Sequence, residues 1–267
     1  MTPSPAPNTA RLDRLSALLL AAAPRVEMGA ASGQPNSLSV SLLANPGAAP
    51  HSLTVAHGPH SGAAGTPSPT PAVVMQVHLD GPAAPMLMRE FAQPMELPLA
   101  GTDGALAQAV QLLCNELAAP RCGQPAMLAS AGNMLFIGLL RHLVAQPQTR
   151  QGLFAGLSDP RIAVALVAMH EQPHTAWSLE SLAERAGMSR TAFATRFKDA
   201  MGTPPGKYLA QLRLQIAQRA VQSGKGLKGA ARASGYKDVS ALSRALGRAR
   251  SPAGGVATTG ATMNPSL

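Results

Sequence analysis

The sequence predicts an α+β protein in which a β region and two helices precede an all-α C-terminal domain. Short apolar runs separated by Gly and Pro fill residues 26–99, as is typical of strands and turns. Between residues 103 and 146 the apolar spacing becomes helical. Charge marks a second domain, because residues 178–250 carry 14 of the 22 Lys and Arg but only 4 of the 13 Asp and Glu. That stretch is +10 and the remainder −1, which indicates a partner with phosphate groups.

The Pro-rich residues 1–10 predict a disordered leader, and the Leu spacing over residues 11–22 predicts a short helix. Arg11 and Arg14 stand before an apolar run, as in a signal peptide, but Asp13 interrupts the positive region. A helix of the folded protein is therefore favoured over secretion.

Three apolar runs predict strands at Leu38–Leu43, Ser52–Ala56 and Val73–Leu79. The interval Gly58–Pro71 is rich in Gly, Ala, Ser and Pro, and we expect a mobile loop there. Two helices with apolar faces follow within residues 103–146, the second so apolar that we expect it to pack on both sides, within the chain or against a second subunit. The continuous apolar runs are shorter than the ~20 residues that cross a bilayer, so a soluble protein is predicted.

Residues 178–202, called unit one below, have the pattern of helix, tight turn and helix. Ser178 and Ser189 are expected to cap the two helices, and Gly187 to make the turn. Because Ser181 replaces the usual Glu or Gln at the third helical position, a full capping box is predicted to be absent. The side chains expected to face inward are Leu179, Leu182, Ala183, Met188, Phe193 and Phe197, and those expected to face outward are Arg190, Thr191, Ala194, Thr195 and Lys198.

Residues 227–246 repeat this pattern with Gly235 as the turn and Asp238 as the cap, and this second copy is called unit two. Leu242 and Leu246 are predicted to face inward, and the outward set is Val239, Ser240, Ser243 and Arg244. A connecting helix from Pro205 to near Gly224 has ~18 residues and spans about 27 Å, enough to hold two recognition helices roughly one DNA turn apart.

The repeated pattern favours a double helix-turn-helix over an ordinary helical hairpin with a charged face. The second helix of such a unit enters the major groove of double-stranded DNA. We therefore predict a DNA-binding site made of Arg190, Thr191, Ala194, Thr195, Lys198, Ser240, Ser243 and Arg244. Arg190 and Thr191 are placed to reach bases, while Lys198 is placed to grip phosphate.

Residues 159–252 resemble the AraC/XylS family of bacterial transcription activators. The resemblance is carried by Asp159-Pro-Arg-Ile, Leu182-Ala-Glu-Arg-Ala-Gly-Met-Ser-Arg, Phe193-Ala-Thr-Arg-Phe, Gly202-Thr-Pro-Pro-Gly-Lys-Tyr-Leu, Arg213-Leu, Gly235-Tyr and Leu242-Ser-Arg-Ala. It implies a transcription factor that works with RNA polymerase. The basic half predicts a cytoplasmic location, and residues 253–267 are expected to be a disordered tail. Residues 11–150 look like the cupin-type regulatory domain of some members, which implies a small-molecule effector of unknown identity and a homodimer through the helices of residues 103–146.

Two departures from that family affect the expectations. Leu246 stands where the family usually has an aromatic residue, and Gly229 and Gly247 within helices each cost ~0.5–1 kcal/mol relative to Ala. Unit two is thus predicted to be the looser one. The strand region is short for a complete cupin barrel, so an incomplete barrel is expected.

Enzyme chemistry has little support in the sequence. His51, His57, His60 and His78 include no His-x-His pair, and Cys114 with Cys122 forms no Cys-x-x-Cys. Trp177 is expected to anchor a core. We predict no metal, no cofactor and no catalytic residue. Two alternatives stay open, a non-specific or architectural nucleic-acid binder and, with less support, a cupin-like metalloenzyme.

Overall fold

A computed structural model describes residues 14–29, 36–45, 48–57, 71–102, 104–146 and 150–250. The N-terminal part contains α1 (Arg14–Ala22), β1 (Pro24–Met28), β2 (Ser37–Ala44), β3 (Pro50–His57), β4 (Pro71–Leu79), α2 (Ala84–Glu90), β5 (Met95–Pro98), α3 (Gly104–Ala118) and α4 (Gln124–Ala145). The leader, residues 58–70 of the expected loop and the tail at 253–267 lie outside the described residues. The predicted α+β class is confirmed.

The strands form one antiparallel sheet in the order β1-β4-β2-β3-β5. β2, β3 and β4 are the three predicted strands, whereas β1, α2 and β5 were not predicted. Among the described strands, β1 and β5 pair with one neighbour each and lie at opposite edges. Over this part of the chain the five strands form an open sheet.

The two faces of the sheet differ in polarity because side chains alternate along each strand. One face buries apolar side chains such as Val40, Val55 and Val77. Helix α4 packs on this face at Gly132, where an added Cβ would lie 2.6 Å from Val26 Cγ1 and 3.4 Å from Met75 Sδ. The absence of a side chain at Gly132 allows the helix to approach the sheet closely.

Helix α4 packs against β1, α3 and α5, which confirms that it is covered on more than one side within the chain. At Gly138 an added Cβ would lie 3.2 Å from Leu106 Cα, so α3 and α4 are in close contact. Within the described residues, α4 is the one helix long and apolar enough to cross a membrane. More than half of its most apolar stretch is buried, which fits a core helix.

The regular elements of the C-terminal part are all helices over its described residues. Its elements are α5 (Leu153–Ser158), α6 (Pro160–Glu171), α7 (Leu179–Arg185), α8 (Arg190–Met201), α9 (Pro205–Gln222), α10 (Leu227–Ser234) and α11 (Val239–Arg250). One continuous apolar core extends from the sheet through α5 and α6 to unit one. Unit two has a separate small core.

Candidate nucleic-acid interface

Helix α7 of unit one begins at a complete capping box. The Ser178 Oγ accepts a hydrogen bond from the Ser181 N–H at 3.0 Å, and the Ser181 Oγ accepts one from the Ser178 N–H, also at 3.0 Å. The prediction that the box would be absent is therefore wrong. The shorter Ser side chain reaches back to the cap as Glu or Gln does in the usual motif.

The turn between α7 and α8 follows the prediction. Gly187 has a φ of +61°, in the left-handed region that favours Gly. Ser189 then caps α8, its Oγ accepting from the Ala192 N–H at 3.3 Å. This turn fixes the direction in which α8 leaves α7.

Helix α8 rests on a cluster of aromatic rings. Phe193 and Phe197 are fully buried, with centroids 5.6 Å apart, and Phe197 lies 5.8 Å from the ring of Tyr208 on α9. Leu182 and Ala183 are also buried, as predicted. Leu179 was predicted to face inward, and this is wrong because its side chain is 42% exposed.

The outward face of α8 carries the side chains expected to meet DNA. Arg190, Thr191, Thr195 and Lys198 are exposed, and Ala194 is half-buried. All but Lys198 border one shallow groove of about 560 Å³, together with Ser178, Leu179 and Glu180 from the start of α7. Lys198 lies farther along the helix. The exposed Leu179 thus contributes an apolar edge to this groove.

The cations of α8 have different surroundings. Arg196, which the sequence reasoning did not single out, forms an ion pair with Asp159 at the start of α6. Burial raises the pKa of Asp159, but hydrogen bonds from Arg196 and from the N–H groups of Arg161 and Ile162 outweigh it, so the pKa is lowered. Among the described residues, Arg190 and Lys198 have no ion-pair partner, which leaves both charges available to an anion.

Unit two repeats the geometry with fewer large side chains. Gly235 has a φ of +75°, and the Asp238 Oδ1 accepts from the Ala241 N–H at 2.7 Å to cap α11. Ser240, Ser243 and Arg244 are exposed, as expected of residues that contact DNA. The inward side consists of the buried Leu242 and the half-buried Leu246, while Val239, expected outside, is half-buried.

Helix α9 connects the units over 18 residues, or about 27 Å. Its buried side includes Leu209, Leu212 and Ala220 as predicted, whereas Ile216 is half-buried. The N-terminal half of α9 belongs to the large core and the C-terminal half to the core of unit two.

Trp177 anchors the loop before α7. Its ring packs against the large core, its Nε1–H donates to the Gln172 carbonyl at 2.9 Å, and the Arg185 guanidinium lies 5.2 Å from the ring centroid. This position matches the predicted anchoring role.

The candidate metal ligands and thiols are scattered. His78 is buried with its Nε2 3.4 Å from a Glu27 carboxylate oxygen, while His51 and His57 are exposed. His60 lies outside the described residues. In the part of the chain that the structure describes, no three His, Cys, Asp or Glu side chains form a group able to hold a metal ion. Cys114 and Cys122 are free thiols.

Two protein families match consecutive parts of this chain. A cupin family matches residues 4–145, which is more than half of the chain, and a helix-turn-helix domain family matches residues 182–250. The second match spans α8 to α11 and most of α7. The chain belongs to this cupin family and carries a helix-turn-helix domain after its cupin domain.

Several named relatives match about two fifths of this chain. An uncharacterized HTH-type transcriptional regulator of Haemophilus influenzae is 36% identical over 115 residues, 43% of this chain and 39% of that protein. A putative AraC-like transcription regulator of Streptomyces lividans is 38% identical over 117 residues, 43% of this chain and 38% of its own length. An RCS-specific HTH-type transcriptional activator of Escherichia coli is 37% identical over 112 residues, 42% of this chain and 39% of that protein. The matched part of the chain thus spans about two fifths of each relative.

Proposed function

We propose that this protein is a cytoplasmic, sequence-specific transcription regulator that reads two adjacent major grooves of double-stranded DNA. In this proposal Arg190, Thr191, Ala194, Thr195 and Lys198 of α8, with Ser240, Ser243 and Arg244 of α11, contact the DNA and position RNA polymerase at a promoter. The protein carries out no catalysis. The names of its relatives, all transcriptional regulators, support this.

One observation carries the proposal. The α8 residues that border the groove are held by two capped helices and an aromatic core, so their orientation is fixed before DNA arrives. The Arg190 guanidinium has no ion-pair partner among the described residues, and it sits in the first turn of α8, the part of a recognition helix that meets base edges. A bidentate Arg contact to guanine discriminates against other bases by about 1–3 kcal/mol.

Selection of binding sites from random double-stranded DNA tests the proposal. We expect the protein to enrich a site with two half-sites about one helical turn, ~10 bp, apart.

Arg190→Ala should relax the preference at the bases that α8 reads. Lys198→Ala should weaken binding to all sequences alike and lower the salt slope by about one. Arg141→Ala on α4, also exposed but far along the chain, controls for the loss of one positive charge and should leave both properties unchanged.

The rival function, a non-specific or architectural nucleic-acid binder, predicts a different outcome of the same selection. No site would be enriched, the affinity ratio of specific to random DNA would be near one, and binding would still fall steeply with salt. If Arg190→Ala left an enriched site unchanged, α8 would not be the reading helix.

We further propose that the helices of residues 103–146 form a homodimer. Leu117 on α3 and Met127 and Met134 on α4 are 38%, 43% and 53% exposed, which supports an apolar contact. Sedimentation of the full chain should give a dimer, and Met134→Glu should shift it towards monomer. Arg161→Glu, at an exposed position of α6 outside these two helices, is a charge-changing control that should leave the dimer intact.

A small polar effector is proposed for the polar face of the sheet. The side chains of Ser41, Thr54 and Gln76 are on this face, and the Ser41 Oγ, Thr54 Oγ1 and Gln76 Oε1 are buried without a hydrogen-bond partner. Such atoms favour a ligand that supplies donors and acceptors. A thermal-shift screen of small polar metabolites should find a stabilising compound, and Gln76→Leu should abolish that stabilisation.

A further inference from the structure

The two helix-turn-helix units have separate cores, yet a bipartite DNA site requires a fixed distance and angle between them. The small core of unit two is built from Ala217, Ala220, Ala230, Ala231 and Leu242. These side chains hold α10 and α11 on the end of α9, in a cluster apart from the one that includes α7 and α8. Helix α9 joins the two cores, and a further contact between the units restricts how they are oriented about it.

Arg213, in the middle of α9, makes such a contact with the loop that leads into unit one. Its Nε–H donates to the Pro173 carbonyl at 2.8 Å, and its Nη2–H donates to the Thr175 carbonyl at 2.7 Å. The planar guanidinium holds two donors at a fixed spacing and so matches two carbonyls of one loop. The side chain is half-buried, and burial lowers its pKa.

The same loop is fixed to unit one on its other side. Trp177 ends the loop, packs against the large core and lies beside Arg185 of α7. The Trp177 N–H also donates to the Thr175 carbonyl at 2.7 Å, the second carbonyl that Arg213 uses. The ring of Trp177 therefore holds the end of the loop against unit one.

Unit two touches this loop at its own turn. At Gly235 an added Cβ would lie 2.6 Å from His174 Cα and 3.1 Å from both the His174 and the Pro173 carbonyl oxygens. The turn of unit two therefore contacts the backbone that separates the two carbonyls bound by Arg213. Tyr236, next in the chain, lies close enough for its ring hydroxyl to interact electrostatically with Arg213.

We propose that Arg213, the loop of residues 172–177 and Gly235 form a clamp that sets the relative orientation of the two recognition helices. The clamp determines which spacing between DNA half-sites the protein accepts. Arg213 is a positioning residue in this proposal, because it contacts backbone carbonyls instead of bases. The inference rests on the proposed reading of DNA by both units.

The test measures the affinity of the full chain for a series of bipartite sites that differ only in spacer length. We expect wild type to bind its best spacer about tenfold more tightly than one two base pairs longer. In Arg213→Lys, which keeps the charge but not the planar fork, this ratio should fall below about threefold. Affinity for a single half-site read by unit one should stay unchanged, which also shows that the variant is folded.

Two matched controls isolate the clamp. Arg219→Lys alters another Arg of α9, whose Nη2 lies 3.9 Å from Asp80 Oδ1, and should leave the spacer preference unchanged. Gly235→Ala and Gly224→Ala impose similar backbone strain, with φ of +75° and +83°, but nothing lies within 4 Å of an added Cβ at Gly224. Only Gly235→Ala should broaden or shift the spacer preference.

A measurement without DNA separates the clamp from the proposed function. With Cys114 and Cys122 replaced by Ser, spin labels at Lys198→Cys and Ser243→Cys report the distance between α8 and α11. The distance distribution should broaden in Arg213→Lys but not in Arg219→Lys. Equal distributions and equal spacer preference in Arg213→Lys and wild type would overturn the clamp. Absence of any bipartite site in wild type would instead overturn the proposed function, and the spin-label distances would still decide on the clamp.

Discussion

Unit one and unit two share one plan of helix, Gly turn and capped helix, but they are supported differently. In unit one the recognition helix α8 lies on Phe193 and Phe197, which belong to a core that continues to the sheet. In unit two, α11 lies on Leu242 and a set of Ala side chains that form a core of their own. Because buried area determines how much of the hydrophobic effect each unit gains, the same local motif yields two levels of stability.

Because of this difference, local unfolding of unit one exposes other apolar side chains than local unfolding of unit two. Unit one cannot open without exposing aromatic rings that also support Tyr208 on α9. Unit two can open while the large core stays closed. Cooperative units of this kind open at different free energies, and smaller cores open first.

Truncating one buried side chain in each unit should give the largest contrast. Phe197→Ala should lower the free energy of unfolding of the whole protein by about 3–5 kcal/mol, since the ring is fully buried among other rings. Leu242→Ala should cost about 2–3 kcal/mol and act on unit two alone. Urea denaturation measures the first change, and native-state hydrogen exchange of α10 and α11 measures the second. Equal loss of amide protection in α8 upon Leu242→Ala would show that the two units open together.

Both units could be predicted from sequence because their turns depend on local chemistry. Gly187 and Gly235 adopt left-handed backbone, and Ser189 and Asp238 cap the following helices, so the signals lie within a few residues of the structure they specify. The three central strands were found for the same reason, through short apolar runs bounded by Gly and Pro.

What the sequence did not predict depends on contacts between distant residues. Leu179 has the spacing of an inward residue, but its burial depends on whether another element covers it, and with the described residues in place it is 42% exposed. The edge strands β1 and β5 and the short α2 have weak strand and helix patterns in their sequences. They form because β1 and β5 pair with strands already in the sheet and α2 packs against the core. The bonds from Arg213 to Pro173 and Thr175 join residues about 40 positions apart, and no local pattern indicates them.

Low pH should also affect the stability of the two units differently. His170 on α6 has its Nε2 2.7 Å from the Tyr208 hydroxyl, and its Nδ1 is buried without a partner. Burial lowers the pKa of His170 from 6.5 to about 4, so the imidazole is neutral in the folded protein where the unfolded chain binds a proton. The contribution of this group to stability is full above pH 6.5 and falls as the pH drops towards 4, by up to about 3 kcal/mol.

The measurement is the free energy of unfolding from pH 7 to pH 4 in wild type and in His170→Gln. Subtracting the two curves removes the contribution of Glu90, which is the same in both proteins. Burial raises the pKa of Glu90, so its contribution to stability rises as the pH falls, opposite to that of His170. The slope should flatten in the variant. Unit two contains no His, so hydrogen exchange in α10 and α11 should respond to acid less than that in α8. A slope unchanged by His170→Gln would mean that the ring is accessible to protons in the folded protein.

The smallest effect should come from two substitutions that strengthen unit two. An added Cβ at Gly247 meets nothing within 4 Å, and at Gly229 the nearest atom is Lys225 Cβ at 4.0 Å. Gly229→Ala and Gly247→Ala should each stabilise unit two by about 0.5–1 kcal/mol, because Ala loses less backbone entropy in a helix. Hydrogen exchange in α10 and α11 should slow accordingly while exchange in α8 is unchanged, and Gly224→Ala, where φ is +83°, should be destabilising instead.

If unit two binds DNA weakly because it opens, the double variant should bind the bipartite site more tightly than wild type does and a unit-one half-site equally well. If the double variant instead bound the bipartite site no more tightly than wild type does, the weak binding of unit two would lie in its contacts with DNA and not in its stability.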